Sequence, residues 1–321
     1  MKKNSSKLLF YSMMMTGIMM TISANNWIMM WCGLEISLIS FMPLMISKLM
    51  ISSESSMKYF IVQSISSSML MLSMLIMVMS GDYNYNYLFT TAMLIKTGVP
   101  PFHNWVLTVI EGLELKSMFM LLTINKIAPL TLMSYLIMTI TIIILMTIMV
   151  GATMGLNQNS VKKLMGYSSI FNMGLILSVI KINTMWMVYL LIYSTILMMM
   201  LMIVKKTMSM YVNQMIFSET ILNKMNIWIS MLSMGGMPPL MGFSIKYMVL
   251  MQLIQSKMII TASIMIITSL IMMFMYLRIT FMSIMSNSIT SKMKLFKLNE
   301  MSMMSITINM TTLTILMITK V

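Results

Sequence analysis

Four ionisable residues, Glu35, Lys96, Lys126 and Lys246, stand inside stretches that are otherwise apolar. The chemistry open to such groups is proton exchange. Burial favours the neutral amine of a lysine, so an ammonium taken out of water can release and regain a proton near neutral pH, while a carboxylate partner opposes the release. On insertion scales one charge at the centre of a bilayer costs about 2.5–3.5 kcal/mol, and four idle ones would cost about 10 kcal/mol. Glu35 and Lys96 are expected to pair. Opening or closing that pair would change the proton affinity of Lys126 electrostatically, with Lys246 as the exit or hand-over point. Structural ion pairs, or lysines that snorkel to an interface, are the bland alternative. His103 is the only histidine, a candidate relay or a satisfied structural ring.

The elements that hold these groups are set by prolines. All six (Pro43, Pro100, Pro101, Pro129, Pro238, Pro239) lie within or beside apolar runs. Each removes a helical hydrogen bond, and irregular backbone at membrane depth persists only against protein or a watery cavity. One interruption reads Lys96-Thr-Gly-Val-Pro100-Pro101-Phe-His103, the other Gly235-Gly236-Met-Pro238-Pro239-Leu-Met-Gly242-Phe-Ser-Ile-Lys246. Pro129 frees the carbonyl of Asn125, beside Lys126.

Eleven spans of about twenty apolar residues are expected, near 8–24, 27–46, 57–80, 85–112 (broken), 117–136, 137–155, 164–181, 184–204, 226–254 (broken), 258–281 and 301–319. This predicts an all-α polytopic membrane protein forming a single transmembrane domain over 1–321. The broken spans are five apart and therefore cross in opposite directions, as in inverted-repeat transporters. Repeat one is assigned to about 8–136, repeat two to about 137–285, and the final helix stands outside. The loop charges agree: fifteen Lys or Arg fall on the side of the N-terminus and only Lys181, Lys257 and Lys320 opposite. By the positive-inside rule the N-terminus lies on the matrix or cytoplasmic side.

Composition excludes much else. Of 321 residues 59% are hydrophobic and 9% charged, with a mean hydropathy of +0.91; soluble domains carry about 25% charged residues. A single cysteine, Cys32, excludes a disulfide framework and a thiol metal or iron–sulfur site, and one imidazole builds no metal site. The surplus of 21 basic over 7 acidic residues sits in short loops, which suits anionic lipid and topology rather than nucleic acid. No phosphate loop, dinucleotide fingerprint or nucleophile elbow occurs. Most of the 56 methionines are read as gap fillers between helices. Their number, beside a single arginine, suits an AT-rich gene whose code reads an extra codon as Met, which points to an animal mitochondrion.

A family resemblance spans nearly the whole chain. It is carried by Trp31-Cys-Gly33-Leu-Glu35, Leu94-Ile-Lys96-Thr-Gly98-Val-Pro100-Pro101-Phe-His103, Lys126-Ile-Ala-Pro129-Leu, the run from Gly155-Leu-Asn157-Gln158 through Lys162-Lys163 to Tyr167-Ser168-Ser169-Ile170, and Gly235-Gly236-Met-Pro238-Pro239-Leu-Met-Gly242-Phe. These resemble the mitochondrial NADH dehydrogenase subunit 2 family, antiporter-like membrane subunits of respiratory complex I, in the short eleven-helix animal form of insects or other arthropods. The resemblance implies a proton-pumping NADH:ubiquinone oxidoreductase of the mitochondrial inner membrane, moving protons from matrix to intermembrane space. It implies Glu35–Lys96 as the switching pair, Lys126 as the central carrier and Lys246 as the end of the half-channel. NADH, FMN, iron–sulfur clusters and ubiquinone would then belong to partner subunits, with no cofactor in this chain. Expected partners are other membrane-arm and accessory subunits in an obligate hetero-oligomer, and lipid such as cardiolipin. The chain departs from the pattern at Asn172, where the family usually has His, at Asn104, where an aromatic is common, and across the diverged stretch 286–300. A cation/proton antiporter subunit and a scaffold with an inactive channel remain as alternatives.

Overall fold

The computed structural model describes residues 5–47, 50–80, 86–135, 140–180, 185–216, 221–289 and 300–310. Lys2, Lys3, Lys48, Lys181, Lys292, Lys294, Lys297 and Lys320, residues 290–299 of the diverged stretch, and the end of the expected final helix lie outside the described residues. Among those described, every element is an α-helix, and five helical stretches are long and apolar enough to cross a membrane: Trp27–Met45, Met50–Met79, Leu115–Ser134, Met185–Thr207 and Ile259–Met285. The chain divides into two compact units, 1–140 and 141–321.

The first unit contains α1 (Ser5–Ser23), α2 (Trp27–Met45), α3 (Met50–Ser80), α4 (Asn86–Thr97), α5 (Asn104–Gly112), α6 (Leu115–Leu122) and α7 (Ile124–Ser134). Without water to drive burial, helices in lipid associate through close packing of small residues, and α1 meets α2 in this way. A Cβ on Gly33 would stand 2.7 Å from the Gly17 carbonyl oxygen and 2.6 Å from Thr21 Cγ2. That contact fixes α2, and with it Glu35 two residues on.

Several boundaries differ from the sequence expectation, among them the end of the span expected at 258–281, which runs to Ile289. Helix α3 begins at Met50, seven residues before the expected start, because polar residues stabilise an extra two turns. The Ser52 hydroxyl accepts from the Ser47 backbone N–H at 3.0 Å, and Glu54 pairs with Lys58 one turn on at 2.6 Å, the favourable acid-before-base order. The span expected at 117–136 is described as two helices meeting at Thr123, whose φ of −122° and ψ of −71° interrupt the ladder. Its hydroxyl bonds back to the Phe119 carbonyl at 2.7 Å, a contact that bends helices. The irregularity lies six residues before Pro129, which itself sits inside α7.

The second unit contains α8 (Thr141–Gly155), α9 (Val161–Val179), α10 (Met185–Thr207), α11 (Val212–Ile216), α12 (Ile221–Gly235), α13 (Met241–Gln255), α14 (Ile259–Ile289) and α15 (Glu300–Met310). Helix α9 is buried at every position from Leu164 to Val179. A helix hydrophobic or buried all round is a central one, and α8, α10 and α13 pack against it. Arg278 of α14 donates to the Leu156 carbonyl at 2.8 Å and so satisfies the backbone just past the end of α8.

Candidate functional site

The two Gly-x-Pro-Pro segments end their helices with one hydrogen-bond pattern. Gly98 has φ +70° and Gly236 φ +82°, left-handed values that favour glycine. In the first break the N–H of Gly98 reaches the Ile95 carbonyl at 3.2 Å and that of Val99 reaches Leu94 at 3.1 Å. In the second, Gly236 reaches Ser233 at 3.2 Å and Met237 reaches Leu232 at 3.1 Å. Both are Schellman closures. Each is followed by one turn-like bond, Phe102 N–H to Val99 and Leu240 N–H to Met237, at 2.9 and 3.0 Å. Corresponding residues are 138 positions apart throughout.

The proline pairs leave carbonyls that need donors, and the breaks satisfy them differently. In the first, Trp105 Nε1 donates to the Ile95 carbonyl at 3.1 Å and Gln63 Nε2 to the Lys96 carbonyl at 3.3 Å. In the second, the position corresponding to Trp105 is Phe243, which has no donor, and the Lys246 ammonium donates to the Gly235 carbonyl at 2.5 Å.

In the first unit Lys96 and Lys126, 7% and 6% exposed, line one small cavity together with Leu34 and Leu38 of α2, Tyr59 and Gln63 of α3, Trp105 and Asn125. It offers about 30 Å³ to water centres, where one water needs about 10–15 Å³. Glu35 is within electrostatic reach of Lys96 and of Tyr59, yet its buried Oε1 makes no hydrogen bond, and Asn125 stands beside the Tyr59 hydroxyl without a bond of ordinary length and angle. Among the described residues no ion pair shorter than 4 Å involves Glu35, Lys96 or Lys126. The structure thus brings Lys96 and Lys126 to one polar pocket, with Glu35 outside its lining, within electrostatic reach of Lys96 and unlatched. A proton gained by one ammonium here raises the cost of a proton on the other.

His103 does not line this cavity. It is the residue that precedes α5, half-buried, with Nδ1 unpartnered. Lys246, in the second unit, is part-buried and sits on its own break, with its ammonium 5.5 Å from the centre of the Phe171 ring. This is a cation–π distance. Next along α9, Asn172 accepts from the Tyr189 hydroxyl at 2.6 Å.

Sequence reasoning passed over Gln63, Tyr59 and Trp105. The signal was present: Tyr59 and Gln63 are four apart, one turn on the same face of α3, and Gln63 is a full amide inside an apolar run.

Comparison with known proteins gives the family of the chain. The family model for NADH:quinone oxidoreductase/Mrp antiporter transmembrane segments matches residues 24–272. NADH-ubiquinone oxidoreductase chain 2 of Locusta migratoria is 36% identical over 93% of this chain and 92% of its own length. The chain 2 of Anopheles gambiae is 35% identical over 89% and 88%. Among solved structures, respiratory complex I from Thermus thermophilus with bound aureothin superposes with a TM-score of 0.77 at 19% identity, over 86% of this chain and 70% of the matched one; at that identity the likeness is one of fold. With matches of this length and identity, the chain belongs to the NADH-ubiquinone oxidoreductase chain 2 family.

Proposed function

We propose that this chain is a proton-translocating membrane subunit of respiratory complex I, a mitochondrial NADH:ubiquinone oxidoreductase. One observation carries the mechanism: Lys126 and Lys96, both buried, share a water-sized cavity, while Glu35, within electrostatic reach of Lys96, holds neither. A loose carboxylate can be drawn toward Lys96 or withdrawn from it, and each movement changes the field felt at Lys126. In this cycle Lys126 takes a proton from the cavity water when Glu35 pairs with Lys96 and offsets its charge, and yields it when the pair opens and leaves the Lys96 charge bare. Lys246 performs the hand-over in the second unit, where the helix end at Gly235 holds its ammonium; a cation at a helix C-terminus is also favoured by the helix dipole. Redox chemistry, and the cofactors for it, belong to partner subunits.

The fold behind this is eleven crossings, with two five-span repeats of opposite direction and a final helix outside them. The common hydrogen-bond pattern of the two breaks, at a constant offset of 138, supports that repeat. The surplus of loop lysines on the side of the N-terminus supports a matrix N-terminus and an intermembrane-space C-terminus in the inner membrane. The same lysines suit an anionic lipid such as cardiolipin.

Replacement of Lys126 by Met in the assembled complex tests the function. Proton pumping coupled to NADH oxidation is expected to be lost while the complex still assembles. Unchanged pumping would instead make the chain a scaffold.

A further inference from the structure

In an unbroken helix the Lys96 carbonyl would accept from the N–H four residues on. That residue is Pro100, which has none. Gln63, 6% exposed on α3, donates to this carbonyl at 3.3 Å across 33 positions of sequence. Gln63 also lines the cavity that holds Lys96 and Lys126. One turn earlier on α3, Tyr59 lines it too, with its ring centre 6.0 Å from that of Trp105 and 5.4 Å from that of Phe41. Helix α3 packs against both α4 and α5, so this turn backs the break on either side of the proline pair.

The second break meets the same need with another group. There Pro239 frees the Gly235 carbonyl, and the Lys246 ammonium takes it. Helix α10 packs against α12 and α13, on either side of that break, but contains no Asn or Gln. A buried carbonyl left unpaired costs more than one hydrogen bond contributes, so an ammonium serves where the flanking helix supplies no amide. An ammonium in that duty is held at the break. We propose that Gln63 is a positioning residue for proton transfer in the first unit: it takes the carbonyl freed by Pro100, so that the Lys96 ammonium is left to the cavity it shares with Lys126. The same bond fixes the peptide that carries Lys96, and a displacement of about 1 Å at a reacting group can cost about a hundredfold in rate.

This role for Gln63 rests on the proton-translocation reading, and one experiment separates the two. Gln63→Leu removes the donor at similar size, while Gln63→Glu keeps the shape and has a donor only when its carboxyl is protonated. Both are assayed in the assembled complex beside Lys126→Met, with coupled NADH–quinone turnover and proton pumping followed across a pH series. Gln63→Leu is expected to slow coupled turnover by about tenfold or more. It is also expected to change the shape of the pH profile, because it alters the surroundings of Lys96, with Glu35, Tyr59 and Lys126 nearby. Gln63→Glu is expected to recover toward the native rate as pH falls. A merely structural role would lower activity by one factor at every pH in both variants, and that result overturns the assignment. Native turnover in Gln63→Leu with Lys126→Met inactive overturns it too and leaves the function standing; native pumping in all three overturns the function. Should Gln63→Leu fail to assemble, the pH dependence of Gln63→Glu decides. Should neither assemble, a high-resolution map of the native complex does: the Gln63 amide on the Lys96 carbonyl, with the Lys96 ammonium in the cavity, upholds the role, and an amide turned away overturns it.

Discussion

Substitution of Gly236 by Ala probes the grip of the second break on Lys246. A Cβ built at Gly236 would lie 2.8 Å from both Nζ and Cδ of Lys246, closer than real contacts allow. The far end of a lysine can give way, but only by leaving the Gly235 carbonyl, to which it now donates at 2.5 Å. Two costs therefore add. A non-glycine residue at the φ of +82° costs about 1–2 kcal/mol. A lost charge-assisted hydrogen bond costs about 1.5–3 kcal/mol, so the total is about 2.5–5 kcal/mol. In a Lys246→Met background the bond is already absent, and the same Gly236→Ala change should cost only the backbone part. The double-mutant cycle thus has an expected coupling of about 1.5–3 kcal/mol. Heating the assembled complex and following loss of the intact particle gives rates of disruption, with a tenfold change per about 1.4 kcal/mol. Gly236→Ala should speed the loss markedly less when Lys246 is Met. An equal effect in both backgrounds would show that Lys246 does not bear on the break, and would refute the account given of it.

Other predictions follow from the first unit. Glu35→Gln keeps the shape of the side chain and removes its charge, so coupled proton pumping should fall while the complex assembles at normal abundance; a proton-to-electron ratio equal to the native one would remove Glu35 from the switch. Gly33→Ala would press a methyl group to 2.7 Å from the Gly17 carbonyl, where backbone cannot yield easily. The spread of α1 from α2 should cost about 1–3 kcal/mol, seen as faster disruption on heating, whereas Cys32→Ala on the same helix, half-buried and a change to a smaller side chain, should have a smaller effect.

Much of the scaffold could be read from residue types because membrane helices and their breaks depend on local chemistry. Two successive prolines after a glycine cannot continue a helix, wherever the rest of the chain goes, and both breaks fall where Gly98 and Gly236 put them. That Lys96 and Lys126 would not stand in lipid without polar company was expected from cost, since isolated charges there are too expensive to be idle. Cost does not reveal geometry, however. That Glu35 would lie near Lys96 without bonding to it depends on the packing of α1, α2 and α3, which links residues far apart in the sequence. The donor to each free carbonyl was hidden for the same reason: Gln63 and Lys96 are 33 positions apart. The bend at Thr123 was overlooked because a threonine inside a helix usually satisfies its hydroxyl without disturbing the ladder.

The equivalence of the two breaks has a consequence for how such a protein can diversify. The glycine and the proline pair make the turn by themselves, so its geometry does not rely on which side chain attends the loosened carbonyls. That leaves the attending donor open to exchange, from Trp105 in the first break to Lys246 in the second, three residues beyond the position that matches Trp105. With an indole there, the break is neutral and inert, and the charged chemistry moves upstream to Lys96. With an ammonium there, the break itself becomes an ionic station, as at Lys246. A break of this kind can in this way retain its architecture while its donor sets a different electrical task, and the choice comes down to a few side chains within about two turns of the second proline.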